Sequence, residues 1–194
     1  MNKNIQHYFW DSCVFSRYLT GEPEAHVSDI EQYIADAKNG LIQIHYSTIA
    51  LAEIKPSHLV KRGFGDFNDF AKDFQGAFYP ISPLPDVLLK ASALRDFKYP
   101  NPNGGKDRIL GLGDAIHLLT CIFAKEFLKL ENIIFHTLDE GKGNSWEGNC
   151  VPLLTFEKYT DGVPNNPDVK KIIALKREKP IYKNGTLQLP YGEG

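Results

Sequence analysis

Cysteine is scarce in this chain. Cys13, Cys121 and Cys150 are three in number, show no CxxC spacing, and so argue against a disulfide framework and for a reducing compartment. Long apolar runs are also missing. None approaches the ~20 residues that a membrane helix needs, and the opening "MNKNIQHYFWDSC" lacks the apolar heart of a signal peptide. The expectation is a cytoplasmic protein with no membrane association. Charge of one sign is missing too: the formal net charge is -2, so overall charge does not announce a polyanion binder, although local charge can still act. There is no internal repeat and no low-complexity tract. What remains is an ordinary globular composition, 42% hydrophobic and 24% charged over 194 residues, long enough to bury a sizeable core without staples.

Hydrophobic spacing gives an alternation of strands and helices. Residues 5–10 read as a strand. "VSDIEQYIADAKNG" reads as a helix, with Val27, Ile30, Ile34 and Ala37 on one stripe, Ser28 and Glu31 as a capping box and Gly40 as the stop. "LIQIHYS" reads as a strand that runs into a helix starting "TIALAEI", which Pro56 ends or interrupts. Residues 57–75 read as one helical stretch with an aromatic stripe of Phe64, Phe67, Phe70 and Phe74, a core feature rather than a ligand box, weakened at its start by Gly63 and Gly65. A strand "GAFYPIS", a helix "LPDVLLKASALRDF", a loop "KYPNPNGGKDR", a strong helix "LGDAIHLLTCIFAKEFLKL", a strand "ENIIFHTLD", a loop "EGKGNSWEGN" and a last short strand "CVPLL" follow. Such alternation predicts an α/β fold with a mostly parallel central sheet flanked by helices. The composition shifts near 160, so residues 1–160 are expected to form the main domain and 161–194 a basic, Pro/Asn-rich extension with one short helix.

Four acids fall at related places. Asp11 ends the first strand and interrupts the apolar run "HYFWDSCVF". Glu53 lies early on the helix after the second strand. Asp114 opens the strong helix, and Asp139 ends the strand "IIFHTL". In open parallel sheets the carboxyl ends of strands and the starts of the next helices line one crevice, where ligands bind. Four convergent carboxylates repel one another and would take up protons unless a cation relieved them. Mg2+ and Mn2+ prefer such oxygen ligands, and the chemistry they support includes phosphodiester hydrolysis, in which one or two ions activate water and stabilise developing charge. Each acid also has an ordinary alternative: a helix cap for Asp11, a solvated helix position for Glu53, a dipole-favoured first-turn acid for Asp114 and a turn residue for Asp139. Together, ligation is the better reading.

The stretches "FWDSCVF", "STIALAEI", "GLGDAIHLLTC" and "FHTLDEG" resemble the PIN-domain nuclease family, including the VapC-like toxins of toxin–antitoxin systems, over roughly residues 5–155. Asp11 with Ser12 matches the family's aspartate and small polar residue after strand one. Glu53 after Ser47 and Thr48 matches its glutamate, Asp114 with Ala115 its Asp-Ala pair, and Thr137 with Asp139 its Thr-x-Asp strand terminus. The resemblance implies a three-layer α/β/α PIN-like fold and an endoribonuclease that uses Mg2+ or Mn2+ held by Asp11, Glu53, Asp114 and Asp139. Ser12 and Thr137 would orient ligands or water. RNA as substrate, an antitoxin that blocks the site and a homodimer also come from the resemblance. The chain departs from the family after the last aspartate, where Glu140, Gly141, Lys142 and Gly143 stand in place of a packing aromatic and Trp146 is the nearest one.

Other features are weighed against plainer readings. His117 and Cys121, four apart, suit a zinc pair, but no second pair supports it and they read as core. His7, His45 and His136 read as structural or semi-exposed. Lys142, Arg62, Lys170 and Lys171 are candidate phosphate contacts, against a solvated basic face. Asp107 with Arg108 reads as an ion pair or a solvated loop. A non-catalytic PIN-like module that holds RNA or protein is the alternative function. A haloacid-dehalogenase-type phosphatase would need a second aspartate where Cys13 stands.

Overall fold

In the computed structural model, described over residues 5–141 and 149–183, every strand of the single sheet runs parallel to its neighbours. β1 (Gln6–Trp10), β2 (Ile42–Ser47), β3 (Phe78–Ile81), β4 (Ile134–His136) and β5 (Arg177–Glu178) lie in the order β3-β2-β1-β4-β5. Helices cover both faces, which makes a three-layer α/β/α fold with a mostly parallel central sheet, as the alternation predicts. Among the described residues no helix is long and apolar enough to cross a membrane.

The two faces are read off β1. Successive side chains of a strand point to opposite faces. Phe9, stacked on Phe135 of β4 at 5.6 Å between ring centroids, belongs to one core cluster, and Trp10, edge-on to Phe15 at 5.4 Å, belongs to the other. The Trp10 side is covered by α1 (Ser12–Thr20), α2 (Val27–Lys38), α4 (Pro56–Lys61) and α5 (Phe67–Asp73), with the short α3 (Ala50–Glu53) at the end of β2. The Phe9 side is covered by α6 (Pro85–Arg95), α7 (Leu112–Phe127) and α8 (Pro167–Ile173), with a 3-10 turn over Leu153–Tyr159. α7 is apolar nearly all round and correspondingly buried, with Leu118, Cys121 and Ala124 fully enclosed. Burial pushes the Cys121 thiol up.

Several local expectations change. Ser28 and Glu31 form no capping box. The chain enters α2 through His26, a non-glycine residue in the left-handed region (φ 70°), so Ser28 is already inside the helix and no side chain caps it. Gly40 does stop α2, at φ 71°. Residues 57–75 are two helices rather than one. The break falls where Gly63 adopts φ 89°, a conformation that ends α4 and lets α5 start in a new direction. The aromatic stripe survives the break as core: Phe64 and Phe74 pack on Phe70 at 5.2 and 4.6 Å. "CVPLL" is not a strand. Cys150 makes one bridge to Ile109, and Leu153 begins the 3-10 turn because Pro152 has no N–H to continue a ladder. The segment expected as an extension supplies α8, capped by the Asn166 side chain, and β5, which pairs with β4.

The chain builds β1, β2 and β3 outward in one direction and then adds β4 and β5 on the other side of β1. The connections therefore diverge between β1 and β4, at their carboxyl ends, and a crevice opens at that switch point.

Candidate metal centre

Asp11 follows the last residue of β1, and its N–H donates to His136 O of β4 at 3.1 Å, so the strand pairing itself fixes its position at the crevice. It occupies the N-cap position of α1 yet its side chain caps nothing. The carboxylate is buried, 3% exposed, and is held by other side chains. Thr137 Oγ1 donates to Oδ2 at 2.8 Å, Cys13 Sγ lies 3.1 Å from Oδ2, and Ser12 Oγ donates to Oδ1 at 3.4 Å. Thr137 Oγ1 also accepts from the Asp139 N–H at 3.1 Å, which ties the ends of β1 and β4 together. The predicted supporting pair, Ser12 and Thr137, thus contacts Asp11 directly.

A cavity of about 910 Å³ opens here, and Asp11, Ser12, Glu53, Asp114 and Asp139 all line it. Four acids separated by up to 128 positions in sequence therefore share one space. α7 brings its first turn to the cavity through "GLGD". A Cβ at Gly113 would overlap Glu53 Oε1, and one at Gly111 would overlap Asp114 Oδ2. The missing side chain at Gly113 is what lets the helix start lie this close to the Glu53 carboxylate in its present rotamer.

Repulsion in the cavity is visible in its protonation. Burial, followed by the charges of Asp11 and Asp139, pushes the Asp114 carboxyl up to about 7, with His117 opposing the rise. His117, one turn further along α7, is fully buried. Its Nε2 is 2.7 Å from Glu53 Oε2 and 3.8 Å from Asp11 Oδ1, and its Nδ1 has no hydrogen-bond partner among the described residues. Burial works to lower the His117 ring, but the Glu53 hydrogen bond and the charges of Asp11, Glu53 and Asp114 hold it above its ordinary value. Burial likewise works to raise Glu53, yet the His117 hydrogen bond and charge and a contact with Ser12 hold it below the usual carboxylate range. The His117 ring thus sits between two of the carboxylates and favours their charged forms.

The four acids are not equally available. Asp139 Oδ1 accepts from the Gly141 N–H at 2.8 Å and Oδ2 from the Leu153 N–H at 3.1 Å, so it also fastens the following loop, as a turn residue would. Glu53 is turned onto His117. Among the described residues no group of three or more His, Cys, Asp or Glu side chains is already closed into a cage. The donor set is nonetheless chemically matched to a hard divalent cation: four carboxylates, one lifted to about 7 by burial and then by its acidic neighbours, are what such a cation relieves.

Residues that spacing alone did not bring to the cavity are Cys13, Arg17, Arg95, Glu140 and Cys150, all of which line it, and His117, read from sequence as core. His117 falls three positions after Asp114 on a helix, so a shared face was legible. Arg95 left no such sign, because its placement depends on the end of α6 meeting the start of α7. Of the basic candidates, Arg62 pairs with Glu31 and lies 4.5 Å from the Tyr18 ring, and Lys171 Nζ bonds Glu126 at 2.8 Å. Neither these nor Lys170 line the cavity. Lys142 and Trp146 fall outside the described residues. Arg108 donates to Cys150 O at 2.8 Å and faces the Tyr159 ring. His7 Nδ1 and His45 Nε2 stand 3.1 Å apart across β1 and β2, and His136 is buried, 3.7 Å from Glu178.

No family model, curated protein or solved structure matches the chain.

Proposed function

We propose that the protein is a Mg2+- or Mn2+-dependent endoribonuclease acting at the Asp11 cavity, and that it serves as the toxin of a toxin–antitoxin pair. The observation that carries the chemistry is the convergence of Asp11, Glu53, Asp114 and Asp139 on one cavity at the switch point of a parallel sheet. RNA as substrate, the antitoxin, the homodimer and the toxin role rest on the resemblance of the four motifs to PIN-domain nucleases.

Asp11 and Asp114 would hold the ion most directly, with Glu53 joining as it leaves His117 and Asp139 contributing from the loop side. The bound ion would supply Lewis acidity and charge neutralisation at the phosphate. The chain's own groups do the rest. Thr137, Ser12 and Cys13 fix the Asp11 carboxylate in one orientation, which is the pre-organisation that catalysis rewards. Asp114, raised to about 7, would release its proton to serve as a ligand.

A non-catalytic binding module is the second reading, and the Glu53–His117 contact favours it, since it gives one of the four carboxylates a partner within the chain. The test is cleavage of RNA by the parent and by Asp11→Asn in Mg2+ and in Mn2+. Loss of cleavage in the variant supports the nuclease. Equal activity in both overturns the site, and an inactive parent that shows no heat of Mn2+ binding favours the module.

A further inference from the structure

We infer that Arg17 and Arg95 grip the phosphates on either side of the cut bond, so that the substrate is a single phosphodiester strand laid across the cavity rather than a mononucleotide. This rests on the phosphodiesterase reading of the carboxylate cluster.

Both arginines line the cavity, and they reach it from opposite layers. Arg17 comes from α1, on the Trp10 side of the sheet. Arg95 is the last residue of α6, on the Phe9 side. Asp11 and Asp139 lie between these layers, at the ends of β1 and β4, with Glu53 on α3 and Asp114 on α7 lining the same cavity. A strand crossing the carboxylates therefore meets a guanidinium on each side.

Their partners set these two apart from the chain's other arginines. Arg62 pairs with Glu31, Arg177 with Glu157, and Arg108 bonds the Cys150 carbonyl. Among the described residues neither Arg17 nor Arg95 pairs with a carboxylate, although four carboxylates line the same cavity. Arg17 donates through one nitrogen to Ala25 O at 2.6 Å. That bond anchors the guanidinium and leaves its other donors available. Arg95 makes no hydrogen bond or ion pair with any described residue, and the carboxyl end of α6 favours a cation there. If the arginines merely neutralised the cluster, they would close onto it, as His117 does.

The chemistry fits a polyanion. A floor of carboxylates repels phosphate, and a bound cation relieves that at the reacting phosphate only. Its neighbours on the strand need their own cations. Guanidinium meets phosphate through two parallel N–H donors, with more specificity than a point charge. A terminal phosphate or a mononucleotide has no neighbour on both sides and would gain nothing from the second arginine.

The test uses the full chain, Arg17→Ala, Arg95→Ala and the two lysine variants, with a fluorescein-labelled oligouridylate of about a dozen nucleotides. Cleavage is followed in Mn2+ and equilibrium binding by anisotropy in Ca2+, each across a salt series. Each alanine variant should raise KM and Kd about five- to tenfold, with a smaller change in kcat. Each should flatten the slope of log Kd against log salt by roughly 0.7, the share of one cation on a single strand. The lysine variants should restore the slope while recovering only part of the affinity. Alanine variants with parental KM, Kd and salt slope overturn the inference. So does a fall in kcat with KM and slope untouched, which would mean that the arginines only balance the cluster's charge. A parent that binds with the arginine-dependent slope yet cuts nothing upholds the strand path and overturns the nuclease reading instead.

Discussion

Replacing Asp114 with asparagine should make the metal-free protein more stable, although it removes a residue of the candidate centre. In the folded chain this carboxyl sits at about 7, against an ordinary 3.8. An acid raised in this way holds a proton that the unfolded chain has already lost. Its effect on stability is therefore absent below about pH 4, grows as a penalty while pH rises, and is complete above about pH 7. The gap of roughly three pH units, at about 1.4 kcal/mol each, sets a ceiling of about 4 kcal/mol. Asp114 is only partly buried where it meets the cavity, so solvent screening reduces this to about 1–2 kcal/mol. Asparagine keeps the shape and cannot ionise. For a chain of this size that energy is about 4 °C in melting temperature. Thermal melts in chelator should show Asp114→Asn above the parent at about pH 8, with a smaller difference near pH 5 and none near pH 3, as the linkage requires. Added Mn2+ should invert the order at the higher pH, because the parent then gains binding energy that the variant lacks. An asparagine variant less stable than the parent at both pH values, or a difference independent of pH, would refute the claim that these carboxylates crowd one another.

Four further outcomes follow from the same geometry. Asp11→Asn should lower kcat for RNA cleavage by at least about a hundredfold, since a metal's charge stabilisation is worth several kcal/mol; gel analysis of a labelled RNA reads this directly. Gly113→Ala should keep the fold by circular dichroism but weaken Mn2+ binding about tenfold in calorimetry, because the new Cβ would displace Glu53. His117→Ala should cost about 1–3 kcal/mol in urea unfolding of the metal-free protein, since it takes the hydrogen-bond partner from Glu53 and empties a fully buried site. Mn2+ binding should release close to one proton below pH 7 and progressively less above it, as Asp114 must ionise to ligate; calorimetry in buffers of different ionisation enthalpy measures the number.

The sheet, its parallel sense and the positions of the four acids were legible because they follow from patterns that span many residues. Asp11 stood out as the one acid in an apolar run, and its buried, non-capping side chain gives that oddity a physical reason. What sequence hid was decided by contacts between distant segments. β5 is two residues long and reads as strand only once β4 is beside it. The helix expected over 57–75 breaks where glycine takes a left-handed turn, and α5 then lays its aromatic face against Phe15 of α1 and Phe78 of β3. The capping box at Ser28 lost to the entry of the chain through His26. His117 read as core, which its burial bears out, yet the same burial is what makes its contact with Glu53 strong. Arg95 reaches the cavity only through the packing of α6 on α7, which no local pattern records.

The most direct test of the central idea is diffraction from crystals soaked in Mn2+, collected at the manganese edge. The expected result is an anomalous peak inside the cavity, bound by oxygen atoms of Asp11 and Asp114, with Glu53 swung away from His117 to join them. Crystals that show no peak there, with Glu53 still on His117 and the four carboxylates in place, would contradict it.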